Sequence, residues 1–274
     1  MISMPSRKTT ACGVPALGRG RFLLVVGGAI CLGAAFLAGA MLLASCAASI
    51  SSTLQADGGA SIAVQAGLIP TMAAKFRKLE AAASGAASSS GPSAQDAPIF
   101  DQAAIRKSIA YRPYLSLTEL SSPDPDSIRL VVHARSLQEL ADAPDLKGSG
   151  LIVVTRDAGW AECRFHLERG NAKALSHLFP GIDPAFMDAL SPPALDEDPV
   201  SEDDYRTMLR SLFGEKTMPA LDGAAVALAI TVPGAVINSG GGSLSGSTLS
   251  VKIPLLQALV LGKPIDFWIR WKQP

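Results

Sequence analysis

Phe22 to Ser45, FLLVVGGAICLGAAFLAGAMLLAS, is a run of 24 residues without a charge, and it divides the chain before any folding argument begins. Ahead of it stand Arg7, Lys8, Arg19 and Arg21, with no acid among them. A basic stretch, an apolar stretch and small residues at the exit form the pattern of a secretory signal peptide, which the mature protein loses. The run exceeds the roughly 7–15 apolar residues usual in such a peptide, and about 20 suffice to span a bilayer. An uncleaved transmembrane anchor, with its basic flank kept cytoplasmic, is therefore the alternative.

The exit of the run decides between them. Leu43-Ala44-Ser45-Cys46 resembles the lipobox of bacterial lipoproteins, in which a branched apolar residue, two small residues and a cysteine close the signal peptide. The resemblance implies cleavage between Ser45 and Cys46, and a diacylglycerol on the thiol of Cys46. Small side chains at Ala44 and Ser45 admit a peptidase. Each buried CH₂ of an acyl chain contributes about 0.8 kcal/mol to membrane attachment, so several long chains together hold almost permanently.

The cysteine count agrees with that reading. Cys12 and Cys31 leave with the leader and Cys46 carries lipid, so Cys163 is the single thiol left and no intramolecular disulfide is expected. A core of about 200 residues needs no such staple. Without the leader's four basic residues the chain keeps 20 basic against 24 acidic side chains, a net charge of −4, which gives no footprint for nucleic acid.

Residues 46–60 read as a lipidated tether of small polar residues, although Thr53 to Ala56 could already begin a strand. A single α+β domain is expected over 61–274. Ile62, Val64, Ala66 and Leu68 alternate with Ser61, Ala63, Gln65 and Gly67, the period of a strand with one buried face. Pro70 opens a helix with Met72, Phe76, Leu79 and Ala83 on one side, and residues 84–98 form a Ser/Ala/Gly/Pro-rich flexible loop. Asp101 caps a short helix holding Ile105 and Ile109. Strands with Leu115 and Leu117, then Ile128, Leu130 and Val132, flank the turn SSPDPDS, and Ser136 to Glu139 reads as a capping box. The run LIVVTRDAGWAECRFHLERG is a hairpin that puts Ala161, Cys163, Phe165 and Leu167 on one face and Glu162, Arg164, His166 and Glu168 on the other. Residues 171–213 are expected to be mostly helical, with Asn171 and Ser201 as caps. Strands then resume around Val226, Val236 and Leu249, joined by the loose loop SGGGSLSGS. The chain closes on Ile265, Phe267, Ile269 and Trp271, alternating with Asp266, Trp268, Arg270 and Lys272. Hairpins separated by helices predict a mainly antiparallel sheet with helices on one face.

The candidate chemical sites give way to plainer readings. His133, His166 and His177 are the only histidines, and Cys163 and His166 fall on opposite faces of a strand, so no zinc site is expected. SGGGSLSGS has neither a phosphate-loop ending nor the spacing of a nucleophile elbow. The acids Asp196, Glu197, Asp198, Glu202, Asp203 and Asp204 lack the glycine and closing glutamate of a calcium loop, and the last three suit the first turn of a helix after Ser201. Lys75, Arg77 and Lys78 beside Met72 and Phe76 read as a helix packed on its own sheet, and Ile182, Phe186, Met187 and Leu190 as core. No nucleophile, base and orienting group is visible, so no catalytic residue, metal or cofactor is expected.

In the C-terminal third, TVPGAVINSGGG, SGSTLSVKIPL and PIDFWIRW resemble the end of the β-rich lipoprotein domains typified by mycobacterial LppM. That resemblance implies a domain that binds lipid or glycolipid. Here no membrane helix follows Trp271, which leaves Cys46 as the expected anchor. The expectation is a non-enzymatic lipoprotein of the bacterial cell envelope. It would be fixed to a membrane by its N-terminal lipid, with its domain outside the cytoplasm, and bind lipid, an envelope glycoconjugate or another envelope protein. An envelope hydrolase is the rival reading.

Overall fold

The computed structural model describes residues 48–68, 73–75, 77–78, 98–176, 192–195 and 200–273. The chain starts with an antiparallel hairpin, β1 (Ala48–Leu54) and β2 (Ala60–Gly67). This corrects the expected tether: from Ala48 onward the segment 46–60 is strand and turn. Ala48, Ile50, Ser52 and Leu54 face the core, while Ser49, Ser51 and Thr53 face out. The three serines and one threonine hide this alternation in the sequence, because an apolar count scores an inward serine as surface. Ser52 is 1% exposed, and its Oγ has no hydrogen-bond partner among the described residues.

Two sheets share the strands that the sequence suggested for one. Besides β1 and β2, the larger contains β3 (Leu115–Ser121), β4 (Ser127–Ala134), β7 (Ala225–Thr231), β9 (Ser243–Ser245) and β10 (Thr248–Pro254). Its order is β3-β4-β2-β1-β7-β10-β9, so β1 is the fourth of seven strands, and only the β1–β7 pairing is parallel. The smaller sheet has β5 (Ile152–Asp157), β6 (Trp160–Leu167), β8 (Val236–Gly240) and β11 (Ile265–Lys272), in the antiparallel order β5-β6-β11-β8. Ile152, Cys163, Phe165 and Phe267 of the smaller sheet meet Leu228 and Ile230 of the larger across a narrow apolar gap. Phe165 and Phe267 stack there with ring centres 4.9 Å apart. The fold is α+β and almost wholly antiparallel.

The glycine-rich stretch that reads as a loose loop is where the chain changes sheets. β8 ends at Gly240 in one sheet and β9 begins at Ser243 in the other. At Gly241, where φ is 78°, a Cβ would lie 2.2 Å from the carbonyl oxygen of Asp266, and at Gly242 2.5 Å from that of Ser250. Only glycine lets the backbone pass so close to both sheets.

The helices whose bounds lie among the described residues are α1 (Gln102–Ala110), α2 (Leu137–Ala141), α3 (Arg169–Ser176), α4 (Glu202–Phe213), α5 (Met218–Gly223) and α6 (Leu255–Val260), and residues 73–75 and 77–78 are helical too. Asp101 caps α1 through the N–H of Ala104, and Ser136 accepts from Gln138 and Glu139 at the start of α2. α1 packs along β3, while α4, α5 and α6 group where β10 ends. Ser201 caps α4, whose Tyr205, Leu209 and Phe213 are buried. Asn171 is not a cap. It lies inside the first turn of α3, where its side chain accepts from the N–H of Glu168 (2.9 Å) and donates to the carbonyls of His166 (2.9 Å) and Ser149 (3.3 Å). Three backbone groups are thereby satisfied by one buried amide.

Candidate functional site: a ladder on the four-stranded sheet

β6 and β11 lie side by side with a register that pairs Trp160 with Lys272, Glu162 with Arg270, Arg164 with Trp268 and His166 with Asp266. Since side chains alternate along a strand, all eight project from the face opposite the core. Their inward neighbours Ala161, Cys163, Phe165, Leu167, Ile265, Phe267, Ile269 and Trp271 are buried, which fixes the register firmly.

The outward side chains touch one another. Arg270 donates to Glu162 Oε2 from Nε (2.9 Å) and from the neighbouring amino nitrogen (2.8 Å). The same guanidinium stands 4.3 Å from the ring centre of Trp160. One position further along, Arg164 lies 6.0 Å from the ring centre of Trp268 and 4.0 Å from the carboxylate of Asp266. His166 completes the row between Asp266 (3.8 Å) and Glu168 (3.6 Å). Trp268 lies across Gly240 on β8: a Cβ at Gly240 would stand 2.5 Å from the indole nitrogen.

Cross-strand pairs of this kind stabilise a sheet by about 0.2–1 kcal/mol each, so part of the ladder's role is structural. Its chemistry goes further. Two half-buried indoles offer flat apolar faces, two guanidinium groups offer fixed donors, and Glu162 and Asp266 offer acceptors, all on a rigid surface. Such a surface matches a ligand rich in hydroxyls and C–H faces, as a sugar is. The ladder is not legible in the sequence. Both strands showed their alternation, but nothing paired two segments whose partners Glu162 and Arg270 are 108 positions apart.

The other candidates fall into place around it. Cys163 faces the inter-sheet core, and burial, with some help from the neighbouring Glu162 charge, pushes its thiol up to about 12. His166 is on the opposite face of the same strand and His133 is on β4 in the other sheet. Among the described residues no three His, Cys, Asp or Glu side chains are gathered as metal ligands. Glu202 and Asp203 pair with Arg206, which also reaches Asp222. Lys75 donates to the carbonyl of Phe213 and Arg77 pairs with Asp126, so this basic segment is engaged by its own fold. Ser45, Cys46, His177, the acids 196–198, the apolar residues 182–190 and the loop 84–97 lie outside the described residues. No helix among the described residues is long and apolar enough to cross a membrane.

No protein-family model matches the chain, and no curated protein does. Among solved structures it is similar to the NMR structure of the folded domain of Mycobacterium tuberculosis LppM. The two share 12% identity over 82% of this chain and 88% of that one, with a TM-score of 0.38. That likeness is of general layout and does not bear on function.

Proposed function

We propose that the chain is a bacterial envelope lipoprotein, anchored through acylated Cys46, whose two-sheet domain binds an envelope glycoconjugate without transforming it. The anchor reading is supported by the basic leader, the apolar run and the Leu43-Ala44-Ser45-Cys46 exit. The binding reading is carried by one observation, the ladder in which Trp160 and Trp268 alternate with Arg164, Arg270, Glu162 and Asp266 on an outward sheet face. The apolar gap between the sheets, by contrast, is barely water-sized. It does not favour an acyl chain as the ligand there.

Intrinsic fluorescence tests this directly, since two of the chain's three tryptophans belong to the ladder. Full-length protein in detergent, titrated with a panel of envelope polysaccharides and glycolipids, should show a saturable change in emission. Trp160→Ala and Trp268→Ala should each weaken binding tenfold or more. A panel with no saturable response, or binding untouched by both substitutions, would sink the glycoconjugate reading.

A further inference from the structure

We infer that the end of the seven-stranded sheet at which β1 begins is held against the bilayer by a link too short to let it turn away. The inference rests on the anchor reading above and adds an orientation to it. Only Ala47 separates Cys46 from Ala48, the first residue of β1. Two residues of fully extended chain reach about 7 Å, so the start of β1 stays within about 7 Å of a cysteine whose lipid is in the membrane.

The position of β1 makes that short link consequential. As the fourth of seven strands, β1 has three on either side, β2, β4 and β3 on one and β7, β10 and β9 on the other. At about 4.8 Å per strand the rim extends roughly 14 Å on the β2 side and roughly 10 Å on the β7 side, where β9 pairs only with the far half of β10. A domain tied by an edge could hinge outward, whereas one tied at the middle of its rim brings both halves of the rim down together. That rim contains the β3–β4 turn, because Ser127 pairs with Gly67 and the N–H of Leu68 donates to Asp126. It also contains α5, which leads into β7, and the end of β10, where Lys252, Ala227 and Ser49 share one rung.

Acids at this end are held in ion pairs, Asp126 with Arg77 and Asp222 with Arg206. Lys78 and Lys252 are exposed at this end and suit anionic phospholipid.

The opposite end then points away from the membrane. β1 is about 20 Å long at the usual rise per residue. Its far turn shares a gap with Arg156, Ala161 and Trp271 of the smaller sheet and with Gln273 just beyond β11. The ladder therefore stands on end, with the Trp160–Arg270 contact outermost and His166 nearest the lipid.

The test uses acylated full-length protein in phosphatidylcholine/phosphatidylglycerol vesicles doped with a headgroup spin-labelled lipid. A thiol-reactive fluorophore is placed by Asp124→Cys on the β3–β4 turn or by Ala56→Cys on the far turn. Buried Cys163 stays unlabelled under native conditions. Quenching at position 124 should exceed that at position 56 at least threefold, and a flexible Gly/Ser insertion between Ala47 and Ala48 should erase the contrast. Equal quenching on a chain shown by intact mass to be acylated overturns the orientation and leaves the anchor standing, and a contrast that survives the insertion overturns the role of the short link. A chain with no acyl group at Cys46 overturns both.

Discussion

Arg270 holds Glu162 by two hydrogen bonds of 2.8 and 2.9 Å while its guanidinium plane stands 4.3 Å from the ring centre of Trp160. One cation thus satisfies a carboxylate on the adjacent strand and an indole two residues away. Glu162 is the less exposed partner of the ion pair, at 15% against 39%. Replacing it should therefore disturb more than a surface charge. In a double-mutant cycle on Glu162→Gln and Trp160→Ala, urea unfolding should show a coupling of about 0.5–1 kcal/mol through Arg270. Additive effects within error would mean that Arg270 serves the two partners independently.

The sheet crossing should respond sharply to single methyl groups. Gly241→Ala places a Cβ 2.2 Å from a backbone oxygen at a φ of 78°, so neither side can yield. A loss of at least about 2–3 kcal/mol is expected in urea unfolding, or failure to fold. Gly246 also has a positive φ, 58°, but open space around it. Gly246→Ala should cost only about 1 kcal/mol, which isolates the backbone term from the collision. Similar losses at the two sites would contradict the close approach at Gly241.

Ser52 offers the opposite sign. Its hydroxyl is buried between Ile62 and Ile230 on the neighbouring strands and has no hydrogen-bond partner among the described residues. Removing the oxygen relieves a desolvation cost without opening much volume, so Ser52→Ala should raise stability by about 0.5–1 kcal/mol. A lower urea midpoint would show that the hydroxyl is satisfied in solution.

Alkaline pH should weaken the fold through two buried acids. The Cys163 thiol is raised from its ordinary 9.0 to about 12 by burial, and burial also raises Tyr205 above its ordinary 10.0. Below pH 9 both groups are protonated whether folded or not, and their full contribution to stability is present. Above it the unfolded chain releases protons that the folded chain keeps. Stability should then fall by about 1.4 kcal/mol per pH unit for each titrating group, the thiol's share running from about 9 to 12. Cys163→Ala should flatten the first part of the decline, from pH 9 to 10, in pH-dependent urea unfolding. An unchanged slope would mean that Cys163 is not shielded.

How far the sequence could carry this depended on where its apolar residues fall. The caps at Asp101 and Ser201, the hairpin tipped by Asp157 to Gly159 and the terminal strand through Trp271 were legible because each has a local signal of alternation, capping or turn chemistry. β1 reads as tether in the sequence because serine occupies one of its four inward positions and Ala48 another. The glycines at 240–242 read as slack because their function is to leave room for groups elsewhere in the chain, Asp266 and Ser250. Asn171 looks like a cap in sequence, and only the fold brings Ser149 and His166 within its reach. The ladder had the same limit: its two strands are local, and their register is not.

The anchor at Cys46 is the premise on which the orientation stands, and intact mass spectrometry of the protein purified from bacterial membranes tests it most directly. The expected result is a chain that begins at Cys46, lacks residues 1–45 and carries the added mass of a diacylglycerol, with that mass absent in Cys46→Ala. An unmodified chain that retains residues 1–45 would contradict it and return the apolar run to the role of a membrane span.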